Sequence, residues 1–292
     1  MTAPATIRFQ RPRPQSTSGK PTGFRLSVQK LRNNWRLLRH WWLRPHTEYR
    51  PLFVIATHRS GSNLLIDYLN RQPGIGCHSE ILCASLPFAP LGRRYSPRRA
   101  IRHIRLSLQT WRTPVRGCKL MLDQLASSRL TTDALTEAFP EARFVVLYRQ
   151  SLAEQFLSLK TAAATNQWVL LPGQEARSAP KVHIDRIELR AWCDRTRDAY
   201  RRLLETPGLA ERAVLLSYED LVADPQYWLA EQICPLAGIE AGEAQTYLRK
   251  QNTQSLADRI ENYREVEALL LSPHCRQTFY WPGRRQLLKR AA

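Results

Sequence analysis

Long apolar runs are missing from this 292-residue chain. The longest, such as residues 52–56, hold only a few side chains. A spanning helix needs roughly 18, so none is expected. Metal-type spacings are missing too. Six cysteines (Cys77, Cys83, Cys118, Cys193, Cys234 and Cys275) never form Cys-x-x-Cys, and no two histidines form His-x-x-x-His. That argues against a zinc site or a disulfide framework, so no metal and reduced thiols are expected. The N-terminus is rich in Arg and Pro, with no continuous apolar segment and no small-residue cleavage site. It does not read as a secretory signal, and the cytosol is the expected compartment. No internal repeat is visible.

Acid is the scarcest commodity of all at the N-terminus. Residues 1–50 carry eleven Lys or Arg and a single acid, Glu48, which is +10 of the chain's +19. The composition is otherwise that of a globular protein, 43% apolar and 24% charged. Such a charge predicts an anionic partner without naming it: nucleic acid, a membrane surface or a phosphorylated small molecule. Residues 1–24 hold four prolines and two glycines among polar residues and read as a flexible basic arm. Residues 25–45 read as a basic amphipathic helix stopped by Pro45. Val28, Leu31, Trp35, Leu38 and Trp42 recur at alternating spacings of three and four, giving one apolar stripe. Such a stripe most often packs on the protein's own core. The sharper alternative is contact of residues 25–44 with an anionic membrane surface. A second basic stretch runs from Arg93 to Lys119, and no acid falls between Glu80 and Asp123. It reads either as a solvated helix face or as a surface for an anionic acceptor or a lipid.

From residue 46 to 292 one α/β domain is expected. Strand-like runs at 51–57, 115–120, 142–148 and 213–218 alternate with helical patterns at 132–139, 151–164, 186–206 and 225–234. That order implies a central parallel sheet covered by helices on both faces. The first strand runs into HRSGS and then a helix. A Ser60-Gly61-Ser62 turn opening a helix offers backbone N–H groups and a helix dipole to a phosphate or sulfate. Ser62 and Asn63 can add donors and Arg59 a charge. The nucleoside-triphosphate loop itself is absent, because no Gly-Lys-Ser/Thr follows. A second signal lies at Arg149, at the carboxyl end of the run ARFVVLY, where open α/β sheets bind ligands. Arg149 and Ser158 together could hold a second phosphate.

RSGSNLL at 59–65, GCKLM at 117–121, ARFVVLYRQSLAEQFLS at 142–158, SYEDLVADP at 217–225 and YLRKQNTQSLADRIENYREV at 247–266 resemble, in order, motifs of sulfotransferases. Those enzymes use 3′-phosphoadenosine 5′-phosphosulfate. The likeness is to bacterial carbohydrate sulfotransferases of the nodulation-factor and trehalose types, and it covers roughly residues 51 to 282. It implies a P-loop-like fold and sulfuryl transfer to a hydroxyl of a carbohydrate or glycolipid, with no metal. It assigns the 5′-phosphosulfate to Arg59, Ser60, Gly61, Ser62 and Asn63, with Arg59 stabilising the leaving phosphate. It assigns the 3′-phosphate to Arg149 and Ser158. The spacing between those two is one longer than the common one, and Ser151 is the fallback. GCHSEIL at 76–82 resembles the stretch that carries the trehalose enzyme's base, which points to Glu80. Lys119 either faces the sulfate or supports the sheet. Arg249 and Lys250 fall where relatives bring a basic loop to the nucleotide. Trp168 is expected in core packing, with contact to a sugar as the alternative. Two other readings compete. A P-loop kinase or other nucleotide-binding enzyme would use a similar sheet. A basic nucleic-acid-binding protein would explain the charge, but no recognition motif supports a specific nucleic-acid partner. The expected enzyme is cytoplasmic, with peripheral membrane contact and a dimer both left open.

Overall fold

The computed structural model describes residues 23–43, 48–86, 96–170, 173–175, 177–248 and 254–281. Five strands form one sheet: β1 (Arg50–Ala56), β2 (Ile75–Glu80), β3 (Val115–Met121), β4 (Arg143–Tyr148) and β5 (Ala213–Ser217). Their spatial order is β2-β3-β1-β4-β5, and every pairing between them is parallel. The central strand explains itself. In β1 the six residues from Pro51 to Ala56 are all buried, which a strand covered on both faces requires. Gly117 in β3 is also forced. A Cβ there would sit 2.1 Å from the Leu52 carbonyl oxygen of the neighbouring strand.

The helices that matter for the site are α1 (Gly23–Leu43), α2 (Ser62–Leu69), α3 (Pro97–Leu108), α4 (Leu122–Ser127), α5 (Thr132–Ala138), α6 (Leu152–Thr165), α7 (Arg186–Leu204) and α8 (Tyr218–Ala223). Polar caps legible in the sequence start several of them. Ser96, Thr131, Ser151, Asp185 and Ser217 each accept a backbone N–H of the first turn. One face of the sheet packs Phe53, Ile55, Phe144 and Val146 against Ile104, Leu135 and Tyr200. The other packs Leu52, Val54, Val145 and Leu147 against Leu65, Leu69 and Leu229. A third cluster ties α6 and α7 to the C-terminal helix at 263–271. No described helix is long and apolar enough to cross a membrane.

Three expectations change. The strand β2 was not foreseen, because IGCHSE lacks an apolar run. It forms by pairing at the sheet edge with β3, while the Trp111 ring covers Gly76. The helix expected at 225–234 is three pieces, with a π-helical stretch at Trp228–Ile233. The basic stretch from Arg93 to Lys119 is not one surface. Arg98, Arg99, Arg102 and Arg105 are exposed on α3, but Arg116 and Lys119 are buried. Arg116 donates to the Thr113 carbonyl and to Gln109, and stacks over the Tyr49 ring. Arg93 and Arg94 lie outside the described residues, as does most of the expected arm.

Gly117→Ala should lower stability by at least ~2 kcal/mol, because the clash is with backbone that cannot swing away. Urea unfolding should show a lower midpoint at an unchanged m-value. An unchanged midpoint would mean that β1 and β3 separate freely.

Candidate active site

The site is built on the turn that leaves β1. The connection from β1 runs back to the β2 edge, and that from β4 runs on to β5. The crevice where they diverge lies at the carboxyl ends of β1 and β4. Within the turn, Arg59 has φ 63 and Gly61 φ 88, both left-handed. A non-glycine residue held there costs on the order of 1–3 kcal/mol. Gly61 is required twice over, because a Cβ would also lie 2.3 Å from the Tyr218 ring. Gly61 starts α2 with no side-chain cap. The first helical N–H groups have no intrahelical acceptor, and the helix dipole adds to their pull on an anion.

The turn is clamped from below. Tyr200 is fully buried. Its hydroxyl accepts the Thr57 N–H at 3.0 Å and donates to the Leu147 carbonyl at 2.6 Å. Burial pushes its phenol up to about 12, so it stays a neutral donor. Gln155, also fully buried, donates to Thr57 Oγ1 and to the His58 carbonyl. Ser60 is buried as well, and its hydroxyl donates to the Thr57 carbonyl at 2.8 Å. That hydroxyl holds the turn and faces inward.

Three residues far apart in sequence meet beside the turn. Arg59 Nε donates to Ser158 Oγ at 2.9 Å, and its Nη1 to the Trp168 carbonyl at 2.6 Å. Arg149 Nη1 reaches the Arg59 carbonyl at 3.5 Å. Burial first, and then the charge of Arg149, hold the Arg59 guanidinium below its ordinary value. Arg149 is set between Glu154 at 3.7 Å and Glu219 at 4.0 Å, with its guanidinium over the Tyr218 ring. Arg149 Nε is buried without a hydrogen-bond acceptor among the described residues. Ser151 is otherwise engaged, since its hydroxyl caps α6 by accepting the Glu154 N–H. Glu219 in turn accepts the N–H groups of Gln150 and Ser151.

On the other side of the turn, Glu80 and Lys119 are cross-strand neighbours, just past a register shift in β2. Lys119 Nζ lies 2.9 Å from Glu80 Oε1 and donates to Asn63 Oδ1 at 2.7 Å. Gln124 of α4 donates to Glu80 Oε2 at 2.9 Å. Lys119 is about 1% exposed and Glu80 about 19%. One buried cation thus ties a partly open carboxylate to the start of α2.

The model of the sulfotransferase family matches residues 51–243 of this chain. The chain belongs to the sulfotransferase family. It is an enzyme of sulfuryl transfer. Nodulation protein H of Rhizobium meliloti is 24% identical over 229 residues, covering 74% of this chain and 90% of that protein. Among solved structures, a sulfotransferase from Alicyclobacillus acidocaldarius matches 77% of this chain and 92% of its own, at 12% identity and a TM-score of 0.46. Sulfotransferase STF1 from Mycobacterium tuberculosis H37Rv matches 75% of this chain and 76% of its own, at 14% identity and a TM-score of 0.44.

Most residues singled out in the sulfotransferase's sequence therefore gather around one turn, with Arg59, Arg149 and Ser158 on one flank and Asn63, Lys119 and Glu80 on the other. Arg249 and Lys250 lie outside the described residues. Trp168 is a correction. It is 46% exposed rather than packed in the core. It lines a shallow cavity with Gln167 and Arg177 next to the Arg59 side chain. Several participants escaped sequence reading. Tyr200 and Gln155 sit on remote helices, and no local pattern marks them. His58 was legible as a neighbour of Arg59, but its partner was not. Its Nε2 lies 3.1 Å from Asp123 Oδ2 at the start of α4, with Glu80 and Lys119 acting on it electrostatically.

The hydrogen bond to Asp123 lifts the His58 imidazole above its ordinary 6.5, against the opposing pull of burial. A raised His58 value and a lowered Asp123 value mean that the pair's contribution is full between the ordinary carboxylate range and about pH 6.5, and is lost as pH rises through the His58 value or falls through the Asp123 value. Following the His58 ring by NMR should give a titration above 6.5, which Asp123→Asn returns toward 6.5. No change on substitution would remove Asp123 as the cause.

Proposed function

We propose that this sulfotransferase takes its sulfuryl group from 3′-phosphoadenosine 5′-phosphosulfate and delivers it to a hydroxyl of a carbohydrate or glycolipid. The observation that carries the donor is the meeting of Arg59, Arg149 and Ser158 beside an uncapped helix start. Two guanidinium groups lie side by side, Glu154 and Glu219 flank Arg149, and the Arg59 charge is what a bound anion would answer. The buried, unaccepted Nε of Arg149 is a donor of the kind a phosphate would satisfy. A nucleotide phosphorylated at both ends fits that donor set: the 5′-phosphosulfate at residues 59–63, the 3′-phosphate at Arg149 and Ser158. The acceptor class rests on the likeness to Nodulation protein H and on the bacterial carbohydrate motifs.

In this reading the acceptor oxygen, sulfur and leaving oxygen lie in line. A new acceptor O–S bond forms as the S–O bond to phosphate breaks. The acceptor proton passes to Glu80, and adenosine 3′,5′-bisphosphate departs. Charge grows on the leaving phosphate, where Arg59 and the first N–H groups of α2 stabilise it. Reaching that phosphate requires Arg59 to exchange its contact with the Trp168 carbonyl. Lys119 links the base to Asn63, so that carboxylate and turn keep a set separation.

Glu80→Gln should keep nucleotide binding and lose transfer by at least about 10²-fold, measured with a labelled sulfate donor. Gln is the right substitution because Lys119 retains an acceptor, whereas truncation would strand a buried charge. Near-normal turnover would remove Glu80 as the base. Arg149→Ala should weaken adenosine 3′,5′-bisphosphate at least about tenfold in a thermal-shift titration, and leave adenosine 5′-phosphate little changed. Equal loss for both nucleotides would make Arg149 a structural residue only.

A further inference from the structure

The N-terminal helix is turned the wrong way round for a core helix. In α1 a base faces inward: Lys30 is 5% exposed, and its Nζ donates to the Ala84 carbonyl at 2.5 Å. The apolar stripe faces out, apart from the half-buried Leu38. Leu31 is 60% exposed, Trp35 69% and Trp42 80%, with Val28 also exposed. This overturns the expectation that the stripe packs on the protein's own core. Arg32, Arg36 and Arg39 are exposed along one flank of the stripe, and the 21 residues of α1 contain no acid. The helix packs against α3, which adds exposed Arg98, Arg99, Arg102 and Arg105.

We propose that this face docks on an anionic lipid bilayer, with the Val28–Leu31–Trp35–Trp42 stripe in the acyl boundary and the arginines among the headgroups. Two features choose this occupant. Apolar side chains and tryptophans gain from an interface that is apolar on one side and wet on the other. Arginines beside them gain from negative headgroups. A nucleic acid would answer the arginines but leave the stripe in water. A second copy would cover the stripe but bring an acid-free basic helix against its own like. Ala84, the Lys30 partner, follows Glu80 by four residues. Docking therefore holds the segment leaving Glu80 behind α1, one helix diameter (~10 Å) from the bilayer that would present a glycolipid hydroxyl. That last step rests on the function proposed above.

Co-sedimentation of the full chain with vesicles tests the docking. Binding is expected to vesicles holding about 30% phosphatidylglycerol at about 0.1 M salt, with little to pure phosphatidylcholine and steep loss as salt rises. Trp35→Ser with Trp42→Ser should weaken it at least about tenfold. Each of Arg32→Gln, Arg36→Gln and Arg39→Gln should weaken it about fivefold. Stabilisation by adenosine 3′,5′-bisphosphate should stay unchanged in all these variants, which separates failed docking from a failed nucleotide site. Equal binding to neutral vesicles, or indifference to these substitutions, would overturn the proposal. So would a dimer dissolved by Trp35→Ser, or salt-sensitive retention on duplex DNA with none on anionic vesicles.

Discussion

The candidate active site depends on one strained turn. Between β1 and α2 the backbone must pass through the left-handed region at both Arg59 and Gly61. The strain is met by groups that the turn does not contain. Tyr200 of α7 and Gln155 of α6 reach its underside, and Tyr218 of α8 closes over Gly61. Buried hydrogen bonds of this kind contribute about 1 kcal/mol each, so several together hold a strain of similar size. Three helices far apart in sequence thus share one task.

Charge is organised around the same turn. On one flank, like charges are brought together: Arg149 lies beside Arg59, and burial keeps both poorly solvated. Glu154 and Glu219 balance Arg149, and Arg259 of the C-terminal segment joins Glu154 at 3.2 Å. Gln277 from the same region donates to the Arg149 carbonyl. The C-terminal segment therefore braces Arg149 through both its carboxylate neighbour and its carbonyl. On the other flank, opposite charges meet in Lys119 and Glu80. This pair keeps a partly exposed carboxylate beside the turn.

The excess of +19 does not belong to one function. Arg59 and Arg149 serve the crevice. Arg116 and Lys119 are buried in the structure, although they extend the basic run of the sequence. The exposed arginines on α1 and α3 stand apart from the crevice. Composition alone merges these three uses, because a count of bases does not record which are solvated.

The alternation of strands and helices was legible without coordinates, since fully buried strands need continuous apolar runs and helices need polar caps. The turn between β1 and α2 was legible for the same local reason, because Gly61 opens a helix. Pairing decided the rest. The edge strand β2 carries too little apolar pattern to be read alone, and it exists because β3 offers it partners. Register then made Glu80 the neighbour of Lys119. Packing brought Ser158, Tyr200 and Asp123 to the turn across long stretches of chain. It also turned α1 so that its stripe faces out and Lys30 faces in. Periodicity fixes which side chains share a helix face, but only contact with the rest of the fold decides which face is buried.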